Sequence, residues 1–167
     1  MTGVQTCALP IYPIFKDDID RQDFCIRYGR VSLSERWNLH AACLMDTHIH
    51  LLIEPTLGRV SDGMKLLLGG YSRAFNRRHH RRGALFESRY RDWTIRDERH
   101  YQETVRYIEE NPVAAGMVES SVDWVWSTAS ADCPLKVSDT SPGIHHASAV
   151  GTGVRHRFGA PDVPEGV

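Results

Sequence analysis

Two histidines stand one residue apart in the apolar run CLMDTHIHLLIEP, which covers residues 43–55. In a strand, His48 and His50 would point to the same face, about 6.5–7 Å apart along the chain. Two imidazoles on one face can bind one divalent metal. Imidazole suits Mn, Fe, Ni or Zn, and Mg²⁺ is possible where the other ligands are oxygens. Two ordinary hydrogen-bonded histidines fit the same pattern, so the pair alone leaves both interpretations open.

A second group of reactive side chains lies in TVRYIEENP, residues 104–112. In a helix, Tyr107 and Asn111 are four residues apart and share a face. A tyrosine hydroxyl can act as a nucleophile, but its free pKa of about 10 means that it needs a metal, a base or nearby cations. The amide oxygen of Asn111 could be a third metal ligand. A packing tyrosine and an asparagine at a helix end would give the same pattern.

Arginine is concentrated between residues 71 and 96, although the net charge of the whole chain is −1. Such a block can bind phosphates, or it can be the solvated face of a helix. Arg73, Arg77 and Arg81 recur every fourth residue and would form a stripe on a helix. Arg89 and Arg91 alternate with aromatic residues in LFESRYRDW, a pattern that suits stacked bases and phosphates or a strand with one buried face.

Length and composition place limits on the class of protein. A chain of 167 residues predicts one domain with tails. No apolar run is long enough to span a membrane, and no secretory signal is evident. The scattered cysteines favour a reducing compartment, so we expect a cytoplasmic protein without a disulfide framework.

Periodicity predicts an α+β domain. The predicted order is helix, strand, strand, helix, strand, helix, over residues 17–36, 37–45, 48–54, 61–83, 89–96 and 97–111. Ser61 or Asp62 is the expected cap of the second helix, and Pro112 the expected end of the third. Hairpin pairing with crossover helices predicts a ferredoxin-like antiparallel sheet with helices on one face. That plan needs one more strand before the first helix.

The segments CLMDTHIHLLIEP, FNRRH with LFESRY, and VRYIEENPVAAGMV together resemble the REP-associated tyrosine transposases, in the single-tyrosine branch of HUH nucleases. The resemblance covers about residues 12–130. It implies the HUH nuclease fold, with His48 and His50 as metal ligands, Asn111 completing the site and Tyr107 as the catalytic nucleophile. It also implies a divalent cofactor, Mg or Mn, and no nucleotide cofactor.

The same resemblance implies the reaction and the partner. Tyr107 would attack a phosphodiester of single-stranded DNA at a palindromic repeat hairpin, leaving a 5′-phosphotyrosine and a free 3′-hydroxyl. Arg73, Arg77, Arg81, Arg89 and Arg91 would contact the DNA. Two alternatives stay open: a non-catalytic nucleic-acid-binding remnant of the fold, and a metal-dependent phosphodiesterase that uses water. The sequence does not distinguish a monomer from a dimer, and a membrane partner is not expected.

The chain departs from the family pattern at Thr47, at Glu87, where the family often has glutamine, and at the N-terminus. Thr47 stands where the family usually has asparagine, which keeps a hydrogen-bonding group before His48. The N-terminal string MTGVQTCALPI resembles the translation of a common sequencing-library adapter and stands where the family has its first strand. We therefore expect residues 1–11 to be a non-native leader, with the first strand missing or replaced. We expect residues 12–130 to form an N-terminally truncated catalytic domain and residues 131–167 to be a disordered tail.

Overall fold

A computed structural model describes residues 1–7, 12–86 and 90–136. Its helices and strands are β1 (Thr2–Cys7), α1 (Asp18–Glu35), β2 (Trp37–Leu44), β3 (His48–Pro55), α2 (Val60–Arg78), β4 (Arg91–Thr94) and α3 (Glu98–Ala114). The strands form one antiparallel sheet in the order β2-β3-β1-β4. This is the ferredoxin-like strand order, so the predicted fold class is confirmed.

The helices occupy both faces of the sheet. Ile49, Leu51 and Ile53 of β3 belong to a core cluster with the apolar residues of α1 and α2. Leu52, from the opposite face of β3, packs in a second cluster with Ile108 of α3. The prediction that the helices share one face is therefore correct for α1 and α2 and wrong for α3, which covers the other face. The order of helices and strands in the sequence does not indicate that α3 covers the opposite face from the first two helices.

The helix α2 ends earlier than its sequence predicts. Its last residue is Arg78 rather than Gly83, and its N-cap is Arg59 rather than Ser61 or Asp62. His80 adopts a left-handed conformation at φ 50°. The Arg81 N–H then donates to the Asn76 carbonyl at 2.8 Å, which closes a Schellman motif. The prediction was wrong because a non-glycine residue takes the left-handed position.

The helix α3 ends later than predicted. Pro112 lies inside the helix, which continues to Ala114. Gly116 adopts a left-handed φ of 68°, and the Met117 N–H donates to the Pro112 carbonyl at 2.9 Å. A Schellman motif centred on Gly116 therefore ends the helix. Asn111 consequently lies within regular helix, one turn beyond Tyr107.

The first strand of the sheet is formed by Thr2–Cys7, part of the segment predicted to be a leader. It pairs with β3 from Thr2 opposite Ile53 to Cys7 opposite His48, and with β4 on its other side. Val4 is fully buried. The position of the strand predicted to be missing or replaced is thus occupied, and the origin of residues 1–11 stays a prediction.

The packed part of the chain extends beyond the predicted tail boundary at 131. Cys133 and Leu135 are buried in the larger core cluster. Residues 131–136 therefore belong to the domain, and the rest of the predicted tail lies outside the described residues. Within the described ranges, no helix is both long and apolar enough to cross a membrane.

Candidate active site

The strand β3 directs two imidazoles to the face that α3 covers. His48 and His50 alternate with Ile49 and Leu51, whose side chains enter the core on the other face. The two imidazole rings lie edge to face, with centroids 4.8 Å apart and planes at 89°. The predicted convergence of these two side chains is therefore present in the structure.

His48 has one ring nitrogen occupied. Its Nδ1 lies 3.1 Å from the hydroxyl of Thr47. This contact leaves Nε2 as the nitrogen available to a ligand. Threonine at position 47 thus supplies a hydrogen-bonding group beside His48. Burial lowers the pKa of His48, so its ring favours the neutral form that binds metals.

His50 is fully buried, and neither of its ring nitrogens has a hydrogen-bond partner among the described residues. Burial, as the largest cause, and the neighbouring His48 together lower the pKa of His50 to about 3. The Asn111 side chain lies close enough to oppose that fall, although its contact with the ring is not a well-formed hydrogen bond. A buried, neutral, unpartnered imidazole is costly for a fold unless something binds it.

The helix α3 brings a tyrosine over the histidine pair. Asp97 caps its first turn by accepting a hydrogen bond from the His100 N–H, and Ile108 anchors the helix against Leu52 of the sheet. The Tyr107 ring lies edge to face with His50, with centroids 5.4 Å apart and planes at 84°. Tyr107 is 46% exposed, so a substrate can reach its hydroxyl.

Asn111 completes the cluster one helical turn later. Its Nδ2 donates to the Tyr107 carbonyl at 2.6 Å, which holds the side chain against the helix. This leaves its amide oxygen, on a side chain that lies near the His50 ring, as the atom that can accept a ligand. The four site residues predicted from two separate sequence segments therefore lie at one place.

The donor set of this cluster fits a divalent cation. It offers neutral nitrogens from His48 and His50 and an amide oxygen from Asn111, and the partnerless nitrogens of buried His50 are the observation that carries the fit. No cluster of three His, Cys, Asp or Glu side chains occurs among the residues that the structure describes. Three neutral donors would leave coordination positions open for water or phosphate oxygens, as Mg²⁺ and Mn²⁺ prefer.

The predicted DNA-binding arginines lie at different places. Arg73 and Arg77 are exposed on α2, on the sheet face opposite the histidines. Arg81 follows the helix instead of extending its stripe, and it donates to Asn76 Oδ1 and the Ala84 carbonyl. Arg89 lies outside the described residues. Arg91, on β4, is exposed on the same sheet face as His50.

Arg21 is a structural residue of the site that sequence reasoning missed. Its guanidinium is buried and forms an ion pair with Asp46, just before the histidine strand. It also lies over the rings of Trp124 and Trp126, 5.2 Å and 5.9 Å from their centroids. The Asp46 carbonyl accepts the Ile14 N–H at 2.8 Å. The turn that leads into His48 is therefore held on two sides, by contacts too distant in sequence for any local pattern to indicate.

A ferredoxin-like sheet with two converging histidines and a facing tyrosine defines a candidate nuclease or transposase site, and the comparisons identify the family. A family model described as transposase IS200-like matches residues 12–111. The chain therefore belongs to the IS200-like transposase family, and its class of activity is transposase. No curated protein matches the chain.

Two solved structures resemble this chain. One is a REP-associated tyrosine transposase bound to a REP hairpin, with 18% identity and a TM-score of 0.61 over 92% of this chain and 93% of that one. The other is a putative transposase from Deinococcus radiodurans, with 18% identity and a TM-score of 0.47 over 65% of this chain and 88% of that one. The first likeness supports the fold assignment.

Proposed function

We propose that the chain cuts and rejoins single-stranded DNA at palindromic repeat hairpins through a covalent bond to Tyr107. The observation that carries the proposal is the position of the exposed Tyr107 ring 5.4 Å from the buried ring of His50. Membership of the transposase family supports it, as does the likeness to a transposase bound to a REP hairpin.

The proposed step exchanges one phosphodiester for another. The Tyr107 hydroxyl releases its proton as its oxygen attacks the scissile phosphorus and forms a phosphotyrosine with the 5′ side of the break. The bond from phosphorus to the 3′ oxygen breaks, and that oxygen takes up a proton to become a 3′-hydroxyl. Rejoining runs the same exchange in reverse with another 3′-hydroxyl, so no nucleotide hydrolysis is required.

In this mechanism, His48, His50 and Asn111 would hold a Mg²⁺ or Mn²⁺ ion. When bound, such an ion polarises a phosphoryl oxygen and stabilises the charge that develops on it. His50, fixed in the sheet and neutral because of its burial, keeps a lone pair available at any pH well above 3. Asn111, on the same helix as Tyr107, links the position of the ligand set to that of the nucleophile.

The test is a search for the covalent adduct. Protein with Mn²⁺ or Mg²⁺ is incubated with an end-labelled hairpin oligonucleotide carrying single-stranded flanks, and the products are separated on a denaturing gel. We expect a labelled protein band from the wild type and none from Tyr107→Phe. The matched control is Tyr101→Phe on the same helix, because Tyr101 contacts His40 rather than the histidine pair. His50→Ala should abolish the adduct as well.

Other outcomes identify the competing functions. Cleavage that persists in Tyr107→Phe without an adduct would indicate a phosphodiesterase that uses water. Hairpin binding without cleavage at any metal concentration would indicate a nucleic-acid-binding protein that has lost turnover. Loss of the adduct in Tyr101→Phe to the same degree as in Tyr107→Phe would show that a specific nucleophile had not been identified.

A further inference from the structure

The strand register aligns β4 with the candidate active site. Gln5 of β1 stands opposite both His50 and Arg91, so these residues form one row across the sheet. Directly opposed residues point to the same face. Arg91 therefore faces the same side as His50, two strands away and about 10 Å from it. The adjacent row places Trp93 opposite Gly3, which stands opposite Leu52.

The helix α3 covers only part of this face. It packs on β2 and β3, and the buried members of its cluster among the described residues are Ala41, Cys43, Met45, Leu52 and Ile108. None of these belongs to β1 or β4, although Ile95, directly after β4, packs against the same cluster. The part of the face formed by Gly3, Arg91 and Trp93 therefore lies beside α3, and we call it the open half-face.

Trp93 forms the floor of the open half-face. Its indole lies directly against the Gly3 backbone, since a Cβ at Gly3 would come within 2.2 Å of the Trp93 Cε2. Trp93 is only half-buried, so part of its ring surface is accessible. Arg91 is exposed and forms no ion pair within the described part of the chain. An accessible aromatic ring beside a free guanidinium suits a stacked base and its phosphate.

Charge favours this route for DNA over the outer surface of α3. Glu98, Glu103 and Glu110 are all exposed on α3. They outnumber the exposed arginines of α3, Arg99 and Arg106, and Arg99 is paired with Glu103 at 2.7 Å. A phosphate backbone running along that helix would therefore meet net repulsion. The open half-face offers a cation instead. A strand leaving the Tyr107 hydroxyl would thus meet favourable charge over β1 and β4.

We propose that the open half-face binds the single-stranded DNA next to the scissile phosphate, with a base stacked on Trp93 and a backbone phosphate bound by Arg91. The inference rests on the proposed function, because it assumes that the strand passes Tyr107. It assigns Arg91 to the single-stranded DNA, whereas Arg73 and Arg77 lie on the other face of the sheet and are available to the duplex stem.

The test compares two DNA probes on protein that cannot cleave. In a Tyr107→Phe background, fluorescence anisotropy measures affinity for a blunt hairpin and for the same hairpin with a single-stranded thymidylate tail. We expect the tail to tighten binding, and Trp93→Ala to weaken the tailed probe about ten- to hundredfold while leaving the blunt probe unchanged. Trp93→Phe should keep most of the gain from the tail.

Two further measurements keep the test decisive if Trp93→Ala unfolds. Stacking should quench indole fluorescence when the tailed probe binds, and Trp93→Phe should remove that quench. Arg91→Gln, at an exposed position, should lower affinity for the tailed probe and reduce its salt slope by about one. The matched control is Arg30→Gln, an exposed arginine on α1, on the other side of the sheet.

The proposal is overturned if the tail adds no affinity, if the quench persists in Trp93→Phe, or if Arg91→Gln and Arg30→Gln behave alike. These outcomes are independent of the proposed function, since adduct formation by the wild type is scored separately. An enzyme that forms the adduct but shows no tail-dependent quench would keep its function and lose this subsite.

Discussion

His50 combines complete burial with two ring nitrogens that have no partner in the described structure. Leucine at this position would bury apolar surface without that cost. The unmet hydrogen-bonding capacity costs about 1–3 kcal/mol, which binding of a metal ion to the ring would offset. The position is therefore explained by function better than by stability, since the neighbouring β3 residues Ile49, Leu51 and Leu52 serve the core with apolar side chains.

Acid should destabilise the metal-free protein through His50. Its pKa is about 3 in the fold, against an ordinary value near 6.5, so between these values the unfolded chain binds more protons. His50 therefore does not reduce the free energy of unfolding above about pH 6.5, and it reduces it increasingly as the pH drops towards 3. When the pH is lowered from 7 to 5 in the presence of a chelator, the free energy of urea unfolding should fall by about 2 kcal/mol more for the wild type than for His50→Leu.

The control for this measurement is His80→Gln, since His80 is exposed after α2. It should keep the pH dependence of the wild type. Equal slopes for wild type and His50→Leu would show that His50 titrates normally in the fold and is therefore not buried as described.

At the residue scale, the sequence predicted which face of a strand or helix each side chain lies on, but it did not predict the distances between side chains of different elements. Strand alternation placed His48 and His50 on one face, and helical spacing placed Asn111 one turn after Tyr107. The approach of Tyr107 to His50 depends on how Ile108 packs against Leu52, which no local pattern contains. The resemblance to a known family, rather than periodicity, linked the two segments.

At the scale of elements, helix positions were predictable and helix ends were not. Pro112 and Gly83 are ordinary signals for a helix end, yet left-handed residues at Gly116 and His80 end the helices. The end of α2 also depends on tertiary contacts, because Arg78 and His79 both bind the buried carboxylate of Asp20 at the start of α1. Such a contact joins residues far apart in sequence, so local signals could not reveal it.

Two glycines of α2 should respond to alanine with opposite signs. At Gly63 a Cβ would lie 2.3 Å from Cζ2 of the buried Trp37, so Gly63→Ala should destabilise the protein by about 1–3 kcal/mol. At Gly69 the nearest atom is the flexible Arg73 Nη1 at 3.5 Å. Gly69→Ala should therefore stabilise by about 0.5–1 kcal/mol through helix propensity.

Chemical denaturation of the two variants beside the wild type measures both effects. A stabilising Gly63→Ala would mean that α2 does not approach β2 as closely as the structure shows. A destabilising Gly69→Ala would point to a contact at that position beyond those of the described residues.

At the scale of the whole molecule, both sides of the domain depend on the strand formed by Thr2–Cys7. It joins the hairpin of β2 and β3 to the edge strand β4, and it connects the row of His50 to that of Arg91. Without it, β3 would have an unpaired edge beside the histidines, and β4 would have no sheet to join. A segment predicted to be foreign thus occupies the place where the fold most needs a strand.

Hydrogen exchange tests whether the central strand is as firmly held as its position requires. Amides in ladders on both sides of a strand exchange through large openings, whereas a loosely attached edge exchanges through fraying. We expect backbone amides of Thr2–Cys7 to be protected to nearly the same degree as those of His48–Pro55.

Val4→Ala should lower the free energy of unfolding by about 2 kcal/mol, since Val4 is fully buried. The exposed Val122 supplies the control, because Val122→Ala should change stability by less than about 0.5 kcal/mol.

Rapid exchange in residues 2–7 beside a protected β2–β3 hairpin would show that this segment occupies the strand position only weakly. The row that joins His50 to Arg91 would then be incomplete in solution, and adduct formation should be restored by replacing residues 1–11 with the family's own first strand.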